Sequence, residues 1–292
     1  MENYYLKSAP AFSQHDFAII DRIKHPNINT SWPARELVSP MLQPQAHFYP
    51  WFLSLKDMNS GDWNRLVAEQ ENRDAPDKPP LCCLLLRSEH SEYEVYSQLI
   101  DALLFTDEKQ QRHILRYYDP QVLFHLSWMF TFGELAGMIP VRQISYWTCW
   151  LDGRWNTLAF PSVGVMPPPY ESKDNSTVTR LQNIGIINSI LSALPPCKNI
   201  DERLDYSRCI EMLLIKAREL GLNHRDDLHI FAQSGLNHSL DFWKTPAIQD
   251  ILKQSKGFPE IFNRKIRCLS EYDWQVALAQ LKQQKVPNNG WE

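Results

Sequence analysis

Glycine is scarce in this chain, at ten of 292 residues; the share is about half of the roughly 7% found in average proteins. Loops that cradle phosphate groups with bare backbone need spaced glycines, and neither G-x-G-x-x-G nor G-x-x-x-x-G-K-[ST] occurs. The nucleophile motif G-x-S-x-G and the zinc motif H-E-x-x-H are missing as well. We therefore predict a protein that is not an enzyme, with no catalytic residue, no cofactor and no metal ion.

An excess of positive charge is also missing, because 30 Lys and Arg stand against 34 Asp and Glu. The longest basic cluster, Arg264–Arg267, is too short to follow a phosphate backbone, so we expect no nucleic acid partner. The apolar run Leu81–Leu86 is far shorter than the roughly 20 residues of a membrane-spanning helix, so we expect no membrane partner. Residues 1–7 lack the pattern of a signal peptide, which predicts a cytoplasmic protein.

Tryptophan, by contrast, is plentiful, with ten residues in the chain. Large aromatic side chains either fill hydrophobic cores or anchor contacts with other proteins. We expect most of them in the core and a minority at a partner. The candidates for partner contact are Trp51, Trp147, Trp150, Trp155 and Trp243.

Short apolar runs alternate with helical patterns in the first half of the chain. The run Leu81–Leu86 is typical of a strand buried on both faces, as in parallel sheets. Helical patterns at Gly61–Glu71 and Ser91–Phe105 lie on either side of it. This alternation predicts an α/β N-terminal domain over residues 1–160, with a mixed, partly parallel sheet flanked by helices.

A hairpin is predicted near the end of this domain. Asp152-Gly153 is a favoured pair for a two-residue type I′ turn, and it separates two strand-like runs. A two-residue loop places Trp150 opposite Trp155 across the two strands. We expect this hairpin to close the edge of the domain.

The pattern changes after residue 160. Residues 161–176 contain three consecutive prolines and then a polar run, which is typical of a linker. The remaining patterns are helical only, so we predict an all-α C-terminal domain over residues 177–292.

One group of polar residues in the second half of the chain is a candidate for a metal or enzyme site. It comprises His224, Asp226, Asp227, His229 and His238. His224 and His229 are five positions apart, which places them on different faces of a helix. A polar helix start, with acidic residues near the positive end of the helix dipole, is the favoured interpretation.

A strand-to-helix junction is predicted at Asp119-Pro120. Asp is a favoured N-cap, and Pro is favoured at the first position of a helix. We therefore expect a strand over 113–118 that ends at about Tyr118, and a helix that begins at Pro120.

The same junction resembles a known family. The residues that carry the resemblance are Arg116, Tyr117, Tyr118, Asp119 and Pro120, followed by an apolar helix. They resemble the signature of the type VI secretion effector adaptors, the Tap/Tec chaperones, long catalogued as a domain of unknown function. Phe17–Asp21 is similar to the family's opening strand, and Pro50–Leu55 is similar to its Pro-Tyr-Leu-Val-x-Leu segment.

The resemblance implies a binding role. Members of the family hold a toxic effector in the cytoplasm of a Gram-negative donor bacterium and hand it to the VgrG spike protein. The partners implied here are a cognate secreted toxin and VgrG, and the five motif residues are implied to be structural, with a second role at an interface. Two alternatives stay open: an enzyme with an unrecognised site near His224–His238, and an immunity protein that neutralises the toxin.

Overall fold

The computed structural model describes residues 4–71, 79–160 and 174–284. Contacts divide the chain into two units, Met1–Arg180 and Leu181–Glu292. Residues 161–173 of the predicted linker lie outside the described residues. The end of that predicted linker is helical, because a helix begins at Asn175 and the carboxylate of Asp174 accepts a hydrogen bond from the Thr177 N–H at 2.7 Å.

The described part of the first unit contains eight strands. They are β1 (Phe17–Ile20), β2 (Arg35–Glu36), β3 (Trp51–Ser54), β4 (Cys82–Arg87), β5 (Leu104–Thr106), β6 (Arg112–Ile114), β7 (Tyr146–Leu151) and β8 (Arg154–Ala159). Six of them form one sheet in the order β2-β3-β1-β4-β7-β8, and β5 pairs with β6 in a small second sheet.

Ten α-helices lie in the described part of the chain. They are α1 (Ser60–Glu71), α2 (Glu92–Asp101), α3 (Pro120–Met129), α4 (Phe132–Ala136), α5 (Asn175–Leu191), α6 (Ile200–Glu219), α7 (Arg225–Asn237), α8 (Pro246–Ser255), α9 (Ile261–Arg267) and α10 (Glu271–Gln284). The predicted helix over Ser91–Phe105 therefore ends early, and its last residues enter β5.

The prediction of a partly parallel sheet is wrong. Every strand pair among the described residues is antiparallel. The apolar run of β4 is nevertheless buried on both faces, because different segments cover each face. Leu85 lies in a core with Leu66 of α1, whereas the other face carries Phe52, whose ring lies 5.5 Å from that of Tyr96 in α2. Burial of a strand on both faces therefore shows that both faces of the sheet are covered, but it does not tell whether the neighbouring strands are parallel or antiparallel.

The predicted hairpin is confirmed. β7 and β8 pair around Asp152 and Gly153, whose φ angles of 53° and 73° fit a type I′ turn. Trp150 faces Trp155, with ring centroids 5.3 Å apart and planes at 72°. β8 is the last strand of the large sheet, and Tyr5 forms an isolated antiparallel bridge with Leu158 on its outer side.

The strand-to-helix junction is confirmed on its helical side only. α3 begins at Pro120, and the Asp119 carboxylate accepts a hydrogen bond from the Gln121 N–H at 3.0 Å. The strand prediction over 113–118 is wrong in its extent, because β6 ends at Ile114. The Tyr117 hydroxyl instead donates to the carbonyl of Leu99 at 2.6 Å, which holds the chain in a turn between strand and helix.

The described residues of the second unit form helices and no strand. Its core includes the rings of Phe231, Phe242 and Phe262, and the centroid of Phe231 lies 4.8 Å from that of Phe242. α6 and α7 approach closely at Gly235. A Cβ placed on this glycine meets both terminal carbons of the buried Leu213 at 2.7 Å.

The surroundings of two helical glycines, one crowded and one open, predict opposite effects of a Gly→Ala substitution. Gly235→Ala overfills the contact with Leu213, and we expect it to lower the free energy of unfolding by about 1–3 kcal/mol. Gly185→Ala in α5 is the matched control, because a Cβ there meets nothing within 4 Å. It should raise stability by about 0.4–1 kcal/mol. Urea denaturation followed by circular dichroism measures both, and equal effects would contradict the packing described.

Candidate functional site

A cavity of about 350 Å³ lies in the first unit, at the end of the large sheet where β1 and β7 finish and β3 and β4 start. Asp21 follows β1, Pro50 precedes β3, and Cys83 lies in β4. The turn before α3 and the first two residues of that helix form a further wall, with lining residues between positions 116 and 121. The cavity is thus built from loops and strand ends, which is where binding residues usually lie on a rigid sheet.

The structure brings four of the five motif residues to this cavity. Arg116, Tyr118, Asp119 and Pro120 line it. Tyr117 lies behind the wall, fully buried, with its ring 6.0 Å from that of Trp147 in an edge-to-face arrangement. Tyr117 is therefore a core residue that fixes the turn.

Arg116 and Asp119, in the lining of the cavity, form a loose ion pair. Arg116 Nη2 lies 3.8 Å from Asp119 Oδ2. The guanidinium carbon also lies 5.8 Å from the centroid of the Tyr118 ring. Exposed pairs of this kind contribute little to stability, so the firm structural role of Asp119 is its cap on α3.

Two other side chains that line the cavity are protonated at neutral pH. Burial raises the pKa of Tyr118 to about 12, although the neighbouring Arg116 acts in the opposite direction. Burial likewise raises the pKa of the Cys83 thiol to about 12, and its Sγ lies 3.5 Å from the Ile19 carbonyl oxygen. A protonated phenol and a protonated thiol suit packing better than nucleophilic catalysis.

Apolar side chains surround the mouth of the cavity. Ile23 and Phe48 line it and are both exposed. Trp150 lines it as well and is half-buried. Exposed apolar side chains combined with charged residues are a common composition of a protein contact site. Ile23 and Phe48 carry no sequence motif, so sequence reasoning missed them.

The predicted partner-contact tryptophans fall into two groups. Trp51 and Trp147 are 3% and 0% exposed, so the prediction that they contact a partner is wrong. Their indole N–H groups donate to the carbonyls of His25 and Ile144, which satisfies them inside the core. Trp150 is the only one of the five that lines this cavity.

The two other tryptophans remain partly accessible. Trp155 is half-buried against Trp150. Trp243, in the second unit, is half-buried beneath the ammonium groups of Lys216 and Lys244, which lie 4.6 Å and 5.2 Å from its ring centroid.

The five polar residues predicted to cluster around His224 do not all come together in the structure. His238 stacks on Trp274 with centroids 3.9 Å apart, and His229 lies by Ser189. Asp227 is buried and accepts hydrogen bonds from the N–H groups of Glu260 and Asn263 at the start of α9. Asp227 therefore has a structural role, and His229 and His238 each contact a different residue outside the group.

Only part of that group has metal-ligand geometry. His224 and Asp226 offer ligand atoms within 4.8 Å of each other and of Glu260. Glu260 comes from a distant stretch of sequence, so spacing along the chain gave no sign of it. These side chains are half-buried or exposed, as are many acidic groups that bind no ion.

Comparisons with known proteins add no relative: no family model, no curated protein and no solved structure matches the chain. Over the described ranges, helices are too short or too polar to cross a membrane.

The cap at Asp119 gives the first prediction for this site. Asp119→Ala removes the acceptor for the Gln121 N–H and should lower the free energy of unfolding by about 1 kcal/mol. Asp119→Asn keeps an equally good cap and removes the charge, so its stability should stay within about 0.5 kcal/mol of the native protein. Chemical denaturation distinguishes the two variants. Equal losses would show that charge, rather than capping, is what α3 needs.

Proposed function

We propose that this protein is a non-enzymatic adaptor that binds a cognate type VI secretion toxin and loads it onto the VgrG spike for export. It would act in the cytoplasm of a Gram-negative donor bacterium, as the resemblance to the Tap/Tec chaperones implies. The observation that carries the proposal is that the motif residues line a cavity of mixed polar and apolar surface, with the exposed side chains of Ile23 and Phe48 at its mouth.

The chemistry of the cavity supports binding over catalysis. Its phenol and its thiol are held protonated by burial, and its one arginine–aspartate pair is exposed and loose. Exposed aromatic and aliphatic side chains next to a depression supply the contact area that a protein partner buries. An adaptor is favoured because this surface contains the residues that resemble the signature of the adaptor family.

The test is capture of the proposed partners. The tagged full-length protein is coexpressed with the products of the neighbouring genes, and we expect a toxin and VgrG to co-purify with it. Phe48→Ala should weaken toxin capture about tenfold, the loss expected when one well-buried contact residue is truncated. Tyr93→Ala is the matched control, because Tyr93 is an exposed aromatic residue of α2 that does not line the cavity.

The outcomes separate the candidates. Capture of the toxin without VgrG would point to an immunity protein, and capture of neither partner would overturn the adaptor. Equal capture by the Phe48→Ala and Tyr93→Ala variants would place the contact elsewhere on the chain.

A further inference from the structure

We propose that a second cavity of the first unit binds a tyrosine side chain, presented by an extended segment of a protein partner. This cavity, of about 260 Å³, is lined by residues of α1, β4, β7 and β8, and we call it the α1 cavity. It shares no lining residue with the cavity that the motif residues line. The inference therefore goes beyond the proposed adaptor function. The evidence is a buried amide donor without an acceptor, next to an open part of a strand edge.

The buried donor is the side-chain amide of Gln70, near the end of α1. Gln70 lines the α1 cavity and is only 6% exposed. Its Oε1 accepts a hydrogen bond from the Cys82 N–H at 3.0 Å, which fixes the orientation of the amide. Its Nε2 is buried, and no described residue accepts a hydrogen bond from it. A buried donor without an acceptor costs free energy, so a ligand that brings an oxygen to Nε2 gains affinity.

The other polar residues of the lining define the charge of the ligand. The Thr148 hydroxyl is already satisfied, because it lies 2.8 Å from both His15 Nε2 and the Thr157 hydroxyl. Glu71 is exposed and carries the only charge among the lining residues. Its carboxylate, at the negative end of the α1 dipole, disfavours an anion. A cationic side chain has no acceptor for the Gln70 amide, so the ligand that fits is neutral and contains an oxygen.

The remaining side chains of the lining suit an aromatic ring. An apolar cavity of about 150 Å³ holds benzene, so the α1 cavity has room for a phenol. Aromatic rings also pack favourably against other rings, and the lining supplies two of them. A phenol hydroxyl both accepts and donates, which suits a lining with the Gln70 donor and the Glu71 carboxylate. The apolar lining residues are Pro10, Phe12, Val67, Leu85 and Trp155.

The edge of β8 beside the cavity offers backbone groups to a peptide. The Leu6 N–H donates to the Thr157 carbonyl at 2.9 Å. The Ala159 N–H donates to the Tyr4 carbonyl at 2.8 Å, so residues 157 and 159 both face the outer side of the strand. Backbone groups alternate along a strand, so those of Trp155 face the same side. The chain bends away at residues 7 and 8, and no described residue pairs with the Trp155 backbone there.

A strand added at this part of the edge carries a side chain to the α1 cavity. Residues directly opposite each other on antiparallel strands place their side chains on the same face of the sheet. The residue that pairs with Trp155 therefore lies on the face where Trp155 lines the cavity. The bridge between Tyr5 and Leu158 shows that this edge accepts an antiparallel segment. In strand addition, backbone hydrogen bonds supply affinity and side-chain pockets supply specificity.

The direct test uses small probes with the full-length protein. Nα-acetyl-tyrosine methylamide is the probe, and the phenylalanine analogue, which lacks only the hydroxyl, is its control. Binding is followed through the indole N–H signal of Trp155 in two-dimensional NMR, assigned with Trp155→Phe. We expect the tyrosine probe to shift this signal at about tenfold lower concentration than the phenylalanine probe, because a buried donor gains its acceptor. p-Cresol, which has the phenol without the backbone amides, should require a higher concentration than the tyrosine probe.

Two substitutions separate the donor from the space around it. Gln70→Met removes the amide and keeps a flexible side chain of similar length, so it should abolish the preference for tyrosine over phenylalanine. Val67→Phe fills the cavity and should abolish the response to both probes, even if the Met variant fails to fold. Gln98→Met, at an exposed residue of α2 outside the cavity, is the control and should keep the preference.

Several results would overturn the inference. They are no shift of the Trp155 signal, equal response to the tyrosine and phenylalanine probes, or a preference that survives Gln70→Met. A response to p-cresol as strong as that to the tyrosine probe would show a site for free phenols in place of a protein strand. The probes need neither toxin nor VgrG, so this proposal and the adaptor proposal fail separately.

Discussion

The central strands of the large sheet bury side chains on both of their faces, and the rest of the first unit follows from that constraint. All four residues of β1 are fully buried, and Leu84 and Leu86 of β4 are as well. α1 covers one face through Leu66, and α2 contributes Tyr96 to the other. With both faces covered, what these central strands themselves can offer a partner is their ends and the loops beyond them.

The cavity that the motif residues line lies at one such end, and the antiparallel order decides which strands meet there. Neighbouring strands run in opposite directions, so this end gathers the finish of β1 and β7 and the start of β3 and β4. The turn before α3 then completes the wall. Asp119 has two roles in this arrangement: its carboxylate caps α3, and it contributes negative charge to the lining of the cavity.

Local structure, such as turns and helix starts, was predictable from the sequence. The direction of the strands and the residues that meet across the fold were not. The Asp119-Pro120 helix start and the Asp152-Gly153 turn depend on a few adjacent residues, and both were predicted correctly. The direction of β4 was missed, since an apolar strand looks the same whether its neighbours are parallel or antiparallel. Trp51 and Trp147 were misassigned because residue type does not tell which tryptophans the core encloses. Ile23, Phe48 and Glu260 join their sites only through the fold.

The most direct test of a partner surface at the cavity is photocrosslinking inside the bacterium. p-Benzoylphenylalanine placed at position 48 puts a reactive ketone at the mouth of the cavity, and the same residue at position 93 serves as a distant exposed control. A binding role for the cavity predicts a crosslink from position 48 to one of the two proposed partners, the toxin or VgrG, and none from position 93. Crosslinks from position 93 with none from position 48 would contradict it.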